Sequence, residues 1–367
     1  MSVKLSVGQL FERLHETLQL EQIGARIGLD RLVTSHEASS PGLVLSGYFN
    51  RFPHERILLP RTKLAYVHLR NLLTDAKRER AARVYGYVAI WLPEELVLLY
   101  LQEGELVNAT TLDPSGAMVI PIADALEKVP PEPEYGDICF HEADDEQLAC
   151  MHYAHVAPAE PWPQELNALD ANALFPYLLA TTFDGTVEVT LDGNINYLIV
   201  RDGLVDRAFL SSVHFGTLEE KVEMLFQPDL RATRMGVRRF TVPPPLPRQA
   251  PPALIHAYRE LVNDLVRALV DRGKDSAPVI AELARQSLVS THISLHSFTT
   301  MDRLVHDPVA GVEELTDAVA AWVSEVLWAA ADLDAAGPEQ MLRDLTHARR
   351  HMLQSAGFFE RLPWQMG

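Results

Sequence analysis

Two stretches of sequence decide the fold, because they repeat one pattern: GYVAIWLPEELVLLYLQEGELVNA at residues 86–109 and GTVEVTLDGNINYLIVRDGLVDRA at residues 185–208. In both, apolar residues alternate with more polar ones, as they do in a strand with one face in a core. Each stretch has turn residues in its middle and an acidic residue before a glycine near its end, at Gly104 and Gly203. Acidic–glycine pairs tolerate the positive φ of a tight turn. The pattern therefore predicts a three-stranded meander in each stretch.

The similarity continues beyond the meanders. Short helices are predicted at residues 120–126 and 218–225, and each is followed by a strand that begins near Gly136 or Gly236. A repeat unit of about a hundred residues with this order of elements indicates a duplicated α+β module. Two similar modules can pack about a pseudo-twofold axis with their sheets buried together, as two subunits of a homodimer do.

The rest of the chain divides around this repeat. Residues 243–252 are rich in proline, which cannot continue a helix or a central strand, so they predict a stiff extended linker. Beyond the linker, apolar residues recur at helical spacing over residues 254–271, 277–290, 309–331 and 338–356, which predicts a helical bundle. The apolar residues at 358–364 are expected to pack onto that bundle.

The fold class predicted from these elements is α+β. The expected parts are a small N-terminal α/β domain at residues 1–70, hairpin-rich α+β repeats at residues 71–157 and 158–242, the proline-rich linker at 243–252, and the helical bundle at 253–367.

The composition is that of an ordinary globular protein, with 47% hydrophobic and 22% charged residues in a chain of 367. No run approaches the ~20 apolar residues of a membrane-spanning helix. Charged residues Glu12, Arg13 and Glu16 occupy the place where a signal peptide needs an apolar centre. Together with only two cysteines, these features predict a cytoplasmic protein without a membrane partner.

The net charge of −18 is distributed unevenly. Residues 94–184 contain Lys128 as their single lysine or arginine, so this region repels phosphate backbones and disfavours nucleic-acid binding. Compact basic groups occur at residues 77–83 and 231–239, where solvated element faces are the simpler interpretation. A basic N-terminal region and an acidic middle can also attract each other between copies, which leaves a homo-oligomer open.

The N-terminal region contains a series of motifs that resembles a known family. The motifs are LDR at residues 29–31, PGL at 41–43, GYF at 47–49, ERI at 55–57 and RT at 61–62. Over about residues 5–68 their order resembles the N-terminal domain of bacterial HPr kinase/phosphorylase. In that family the region is a small α/β domain separate from catalysis. The resemblance therefore implies a fold and no reaction.

The kinase domain of that family is not recognisable in this sequence. Phosphoryl transfer there needs a glycine-rich loop that ends in Gly-Lys-Ser/Thr. Here Gly273-Lys274 is followed by Asp275, and residues 255–270 before it have a helical pattern, so Gly273 is better explained as a helix C-cap. No catalytic residue is carried over, and no cofactor is expected.

Two sets of residues are candidates for a site. Tyr48, Asn50, His54, Glu55 and Arg56 could form a recognition surface for a partner or metabolite. The structural alternative is that the aromatic rings fill a core and that Arg56 pairs with a nearby carboxylate.

The second set combines both cysteines with neighbouring histidines. Positions 139 and 141 face the same side of a strand, so Cys139, His141, Cys150 and His152 could form a tetrahedral zinc site. Their spacing matches no standard zinc motif. Core cysteines with surface histidines are the alternative that the sequence favours.

The leading hypothesis is a non-catalytic cytoplasmic regulatory or scaffold protein that mediates protein–protein interactions in signalling. It follows from the modular organisation and from the lack of a recognisable phosphate loop or acid–base set. The alternative is a metal- or small-molecule-dependent enzyme that uses Cys139, His141, Cys150 and His152, or a pocket near Tyr48, His54 and Arg56. The second repeat is also similar, through RDGLV at residues 201–205, to the interaction domain of PatA-type response-regulator proteins, which implies protein binding.

Overall fold

The computed structural model of the protein describes residues 51–78, 84–130, 133–212, 216–226, 235–298, 306–330 and 337–364. Helices and antiparallel sheets are mixed along these residues, so the fold class is α+β, as predicted. None of the described helices is both long and apolar enough to cross a membrane. Two residues of the predicted recognition surface, Tyr48 and Asn50, lie outside the described residues.

The first sheet has six strands, which are β1 (Arg56–Lys63), β2 (Gly86–Trp91), β3 (Leu96–Gln102), β4 (Glu105–Asp113), β5 (Gly116–Val119) and β6 (Asp137–Glu142). Their order is β1-β6-β2-β3-β4-β5, and all neighbours are antiparallel. Helices α1 (Leu69–Arg78) and α2 (Ile122–Glu127) share a hydrophobic core with one face of this sheet. Strand β1 pairs with β6, so the end of the N-terminal region and the first repeat share one sheet.

The second sheet has four strands, which are β7 (Gly185–Leu191), β8 (Asn194–Arg201), β9 (Leu204–Phe209) and β10 (Met235–Phe240). Their order is β10-β7-β8-β9. The corresponding strands of the first sheet have the same order, β6-β2-β3-β4. Helices α4 (Ala171–Ala180) and α5 (Leu218–Leu225) share a core with its outer face. The two repeated stretches therefore fold with the same strand order, while their origin by duplication stays an interpretation.

The turns before β4 and β9 have the backbone conformation that the sequence predicts. Glu103 and Gly104 have φ values of 54° and 76°, and Asp202 and Gly203 have values of 50° and 77°. A Cβ atom on Gly104 would lie 2.5 Å from the carbonyl oxygen of Ala76, and one on Gly203 would lie 2.5 Å from that of Leu178. Glycine is thus required both by the turn and by the close approach of the preceding helix.

The inner faces of the two sheets meet in one hydrophobic core. Helix α3 (Asp145–Val156) contributes to this core and is buried on most sides, as expected for a helix between two layers. The core includes Tyr87, Leu98 and Tyr100 from the first sheet, Tyr197, Ile199 and Phe209 from the second, and Leu148, Cys150 and Met151 from α3.

The helical part consists of α6 (Pro252–Asp271), α7 (Ala277–Leu288), α8 (Val312–Ala329), α9 (Gly337–Thr346) and α10 (Arg350–Ser355). The prediction of a single helix at residues 338–356 is wrong, because a 3-10 turn at His347–Arg349 divides this segment into α9 and α10. Thr346, the last residue of α9, donates from its hydroxyl to the carbonyl oxygen of Leu342 (2.6 Å). Phe358 is fully buried beside Tyr258, so the apolar tail packs onto the bundle.

The proline-rich linker is extended and also packed. Its backbone N–H groups at Gln249 and Ala250 donate to the carbonyl oxygens of Val107 and Ala310, both over 2.8 Å. Leu246 in the linker is buried in the core between the sheets. The linker therefore contacts β4 on one side and the approach to α8 on the other.

Candidate functional site

The described part of the predicted recognition surface precedes and begins strand β1. Beneath it, the Tyr87 hydroxyl donates to the carbonyl oxygen of Phe52 (3.2 Å) and lies 2.8 Å from Nδ1 of His141. The Gln147 side chain, from α3, donates to the carbonyl oxygen of Pro53 (2.6 Å). These buried bonds hold residues 52 and 53 against the first sheet and α3.

The same segment also joins the two modules. The N–H of Arg51 donates to the carbonyl oxygen of Gly193 (2.8 Å), and the N–H of Ile195 donates to that of Arg51 (2.8 Å). Gly193 and Ile195 belong to the turn between β7 and β8 and to the start of β8. This part of the motif therefore has a structural role, because it fixes the second sheet relative to the first.

Glu55 and Arg56 lie near the carboxylates of Glu142 and Asp144. Arg56 Nε donates to Glu142 Oε2 over 2.7 Å, which is the carboxylate pairing that the structural alternative expects. Partial burial, together with the nearby Asp144 and Glu142 carboxylates, raises the pKa of Glu55. The ring of His54 lies against that of His141, with 4.5 Å between their centroids. The arrangement is a partly exposed group of three carboxylates, Glu55, Glu142 and Asp144, with two arginines, because Arg56 pairs with Glu142 and Arg207 with Asp144.

The four candidate zinc ligands do not form one site. Cys139 is buried in the core between the sheets, and Cys150 lies there with its Sγ 3.7 Å from Thr186 Oγ1. His141 contacts Tyr87, whereas His152 packs against the ring of Tyr100 at 5.6 Å. Throughout the described ranges, no group of three or more His, Cys, Asp or Glu side chains is placed to hold a metal ion.

The environments of these side chains are those of a core. Burial raises the pKa of both thiols to about 12, which keeps them protonated. Burial lowers the pKa of His141 to about 3 and that of His152 to about 4. The expectation of buried cysteines holds, but that of surface histidines is wrong for His152, which is 6% exposed.

A groove of about 1520 Å³ forms a larger candidate site. Its walls are α1 and α2, its floor is the start of β4, and its end is closed by the linker and the start of α8. The lining is largely apolar and includes Val67, Leu69, Leu73, Leu106, Leu126 and Val129. The sequence does not predict this groove, because its walls come from segments far apart in the chain.

The rim of the groove carries charges of both signs. Lys77 and Glu105 form an ion pair of 2.5 Å. Arg70 and Arg248 are exposed and form no ion pair with any other described residue. A groove of this size exceeds the ~300–1000 Å³ of ordinary small-molecule pockets and suits a protein segment.

A smaller cleft of about 490 Å³ lies where α3, the second sheet and the linker meet. Arg207 bonds to Asp144 and to Glu146, and Arg201 donates to Glu146 over 2.8 Å. These ion pairs tie α3 and its N-cap residue Asp144 to the second sheet, while Asp145, the third carboxylate of the cleft, accepts from Gln102.

The basic group at residues 231–239 is described only in its last part. Arg238 donates two hydrogen bonds to Glu188, of 2.7 and 2.8 Å, and Arg239 donates to the carbonyl oxygen of Pro161 over 2.7 Å. Both arginines are thus structural, and Arg231 and Arg234 lie outside the described residues.

The architecture is an α+β assembly of two antiparallel sheets with one strand order, followed by helices. Residues 5–88 match the family model described as HPr Serine kinase N terminus, so this region is similar to the N-terminal domain of an HPr kinase-like protein, as predicted. The match extends past residue 68, where the motifs end, into strand β2. Helix α3, the second sheet and the helical part lie outside the matched residues. No solved structure matches the chain.

Proposed function

We propose that the protein is a non-catalytic cytoplasmic regulatory or scaffold protein that binds other proteins in signalling. The groove between α1 and α2 carries this proposal. In this fold, helices cover the outer face of the first sheet, and the groove is the part of that face which no described helix covers. Its natural occupant is an amphipathic helix of a partner protein.

The lining supports a helix as the occupant. Val67, Leu106, Leu126 and Val129 are only partly buried, and they pack against the core beneath the groove. A helix placed there would remove these side chains from water. The exposed Arg70 and Arg248 would meet carboxylates of the partner, and Glu127 and Glu313 would meet its basic residues. A helix with an apolar stripe and mixed charges is therefore the expected partner.

The proposal also names a compartment, the cytoplasm, and a process, signalling. Cys139 and Cys150 are unpaired, which suits a reducing compartment such as the cytoplasm. The similarity of residues 5–88 to an HPr kinase N-terminal domain favours a signalling context.

Comparative capture from native lysate tests the proposal. The tagged full chain is used with the groove variants Leu126→Glu and Val129→Glu, and with Ile293→Glu as the control, because Ile293 is 76% exposed and does not line the groove. We expect one companion that the wild type and Ile293→Glu retain and that both groove variants lose. Thermal unfolding of each variant checks that its fold is intact.

Two kinds of result would contradict the proposal. The first would come from the capture experiment, as either no companion or companions that the groove variants also retain. The second is hydrolysis or transfer of phosphate when the purified chain is incubated with nucleotide.

A further inference from the structure

The two modules can be compared position by position near their acidic–glycine turns. The N–H of Gly104 donates to the carbonyl oxygen of Val84 (2.7 Å), and that of Gly203 donates to the carbonyl oxygen of Phe183 (3.0 Å). A Cβ on Gly104 would lie 3.2 Å from Cα of Lys77, and one on Gly203 would lie 2.6 Å from Cα of Leu179. Lys77 and Leu179 therefore occupy equivalent places on α1 and α4.

The residues after the two glycines are equivalent as well, and here the modules differ. In the first module, Lys77 and Glu105 form the ion pair described above. In the second module, the same positions are Leu179 and Leu204, which are 53% and 62% exposed. One module thus has charged side chains, and the other two exposed leucines, at the same place in the fold.

Helix α4 extends this apolar surface. Its sequence, ANALFPYLLA, contains no charged residue, although Pro176, Leu179 and Ala180 are exposed. A helix on the surface of a soluble domain normally has charged or polar residues on its outer side. We call the exposed group formed by Pro176, Leu179, Ala180 and Leu204 the leucine patch.

Carboxylates dominate the surroundings of the leucine patch. Asp184, Asp202 and Asp206 are exposed, and the N–H of Asp202 donates to Asp184 Oδ1 over 2.6 Å. Arg201 lies 3.4 Å from Asp206, but it also pairs with Glu146. Arg201 is itself exposed and lies opposite Leu204 in the pairing of β8 with β9, so the rim carries three carboxylates and one cation and is net negative.

We propose that the leucine patch binds a cationic amphipathic segment of a protein partner. Leucines of that segment would cover Leu179 and Leu204, and its lysines or arginines would face the three aspartates. A second copy of this chain is a poorer occupant, because a twofold axis would bring two acidic rims together. The inference deepens the proposed function, since a scaffold with unlike surfaces can hold unlike partners, but it concerns a surface separate from the groove.

Exchange of the two leucines for the charged pair of the first module tests the proposal. The variant Leu179→Lys/Leu204→Glu keeps the net charge and uses side chains that the equivalent site accommodates. The probe is a labelled leucine–lysine amphipathic peptide of about 15 residues, with a leucine–glutamate peptide as its control. Fluorescence anisotropy with the full chain measures binding, and Leu179→Ser/Leu204→Ser provides a second variant.

We expect the leucine–lysine peptide to bind the wild type, and both double variants to weaken this binding by about tenfold or more. Asp202→Asn/Asp206→Asn should weaken it several-fold, and the leucine–glutamate peptide should not bind. Leu126→Glu, in the groove, should leave the affinity unchanged, so failure here and failure of the groove proposal are distinguishable.

Four outcomes would overturn the inference. The leucine–lysine peptide could fail to bind, or could bind the wild type and the double variants equally. Its binding could be lost in Leu126→Glu, which would place it in the groove. Finally, the wild type could form a dimer that Leu179→Lys/Leu204→Glu abolishes, in which case a second copy would be the occupant.

Discussion

The side-chain amide nitrogen of Gln249 donates to the side-chain oxygen of Asn108 over 2.8 Å, across 141 positions of the chain. Gln249 also donates to the carbonyl oxygen of Ile120 (2.9 Å) and accepts from the N–H of Ile122 (3.2 Å). Both side chains are buried. One glutamine of the linker therefore joins strand β4 to the beginning of helix α2.

Replacement of this glutamine should destabilise the whole assembly. Gln249→Leu leaves the carbonyl oxygen of Ile120 and the N–H of Ile122 without this partner, whereas Asn108 Oδ1 still accepts from the N–H of Ala109. Loss of the buried bonds typically costs about 1–3 kcal/mol in the free energy of unfolding. Urea unfolding followed by circular dichroism measures the change. Gln286→Leu is the control, because Gln286 is exposed and its side chain bonds, among the described residues, to Glu282 alone. Equal stability losses in the two variants would rule out this role for Gln249.

The two turn glycines should be harder to replace than a glycine in open space. Gly203 and Gly273 have similar φ values of 77° and 83°, but only at Gly203 would a Cβ meet backbone, since Gly273 has no atom within 4 Å of that point. Gly273→Ala should cost about 1 kcal/mol, the strain of a left-handed residue. Gly203→Ala should cost at least about 1–3 kcal/mol more, because the backbone of Leu178 must move. Similar unfolding midpoints for both variants would contradict the close approach.

The ion pair between Glu188 and Arg238 should respond unequally to loss of either partner. The Glu188 side chain is 3% exposed, whereas that of Arg238 is 49% exposed. Arg238→Met leaves the buried Glu188 carboxylate without its cation and should lower the free energy of unfolding by about 3–5 kcal/mol. Glu188→Gln leaves an arginine that water can solvate, so about 1–2 kcal/mol is expected.

A double-variant cycle by urea unfolding measures both effects. Glu188→Gln/Arg238→Met should be close in stability to Glu188→Gln alone, since no buried charge then remains. A larger loss for Glu188→Gln than for Arg238→Met would show that the arginine is the more buried partner.

The buried histidines make stability depend on pH. Burial lowers the pKa of His152 from its ordinary 6.5 to about 4, and that of His155 likewise. The unfolded chain therefore binds protons first as the pH falls, so stability is complete above pH 6.5 and declines from there towards pH 4. For His152 the loss at pH 5 is roughly 2 kcal/mol.

Unfolding in urea at pH 7.5 and pH 5 checks this prediction. His152→Phe should reduce the difference between the two pH values, because the ring at this position packs against Tyr100 and no longer titrates. A pH dependence that His152→Phe does not alter would assign the effect to other groups.

Local patterns predicted most of the secondary structure. The alternation of apolar residues indicated strands β2, β3, β7 and β8, and the acidic–glycine pairs indicated the turns that follow β3 and β8. These features depend on residues close together in the chain, so they are readable without a tertiary structure. The division of the last helix was not, because a three-residue 3-10 turn at His347–Arg349 leaves no mark in the apolar periodicity.

The candidate site was predictable only in part. The pairing of Arg56 with a carboxylate was anticipated as a type of contact, but its partner Glu142 depends on the register between β1 and β6. The zinc hypothesis placed Cys139 and His152 together because they are near in sequence. In the fold, a strand and a helix carry them to different neighbours, Cys139 beside Ala89 and His152 beside Tyr100.

The sequence by itself determined the fold class, the two meanders with their left-handed turns, and the similarity of residues 5–88 to the N-terminal domain of an HPr kinase-like protein. The tertiary structure alone decided that the linker lies along β4, that a groove opens between α1 and α2, and that Leu179 replaces the lysine of the first module. The reason is physical. Backbone preferences act over a few neighbouring residues, whereas a surface arises from side chains that only packing brings together.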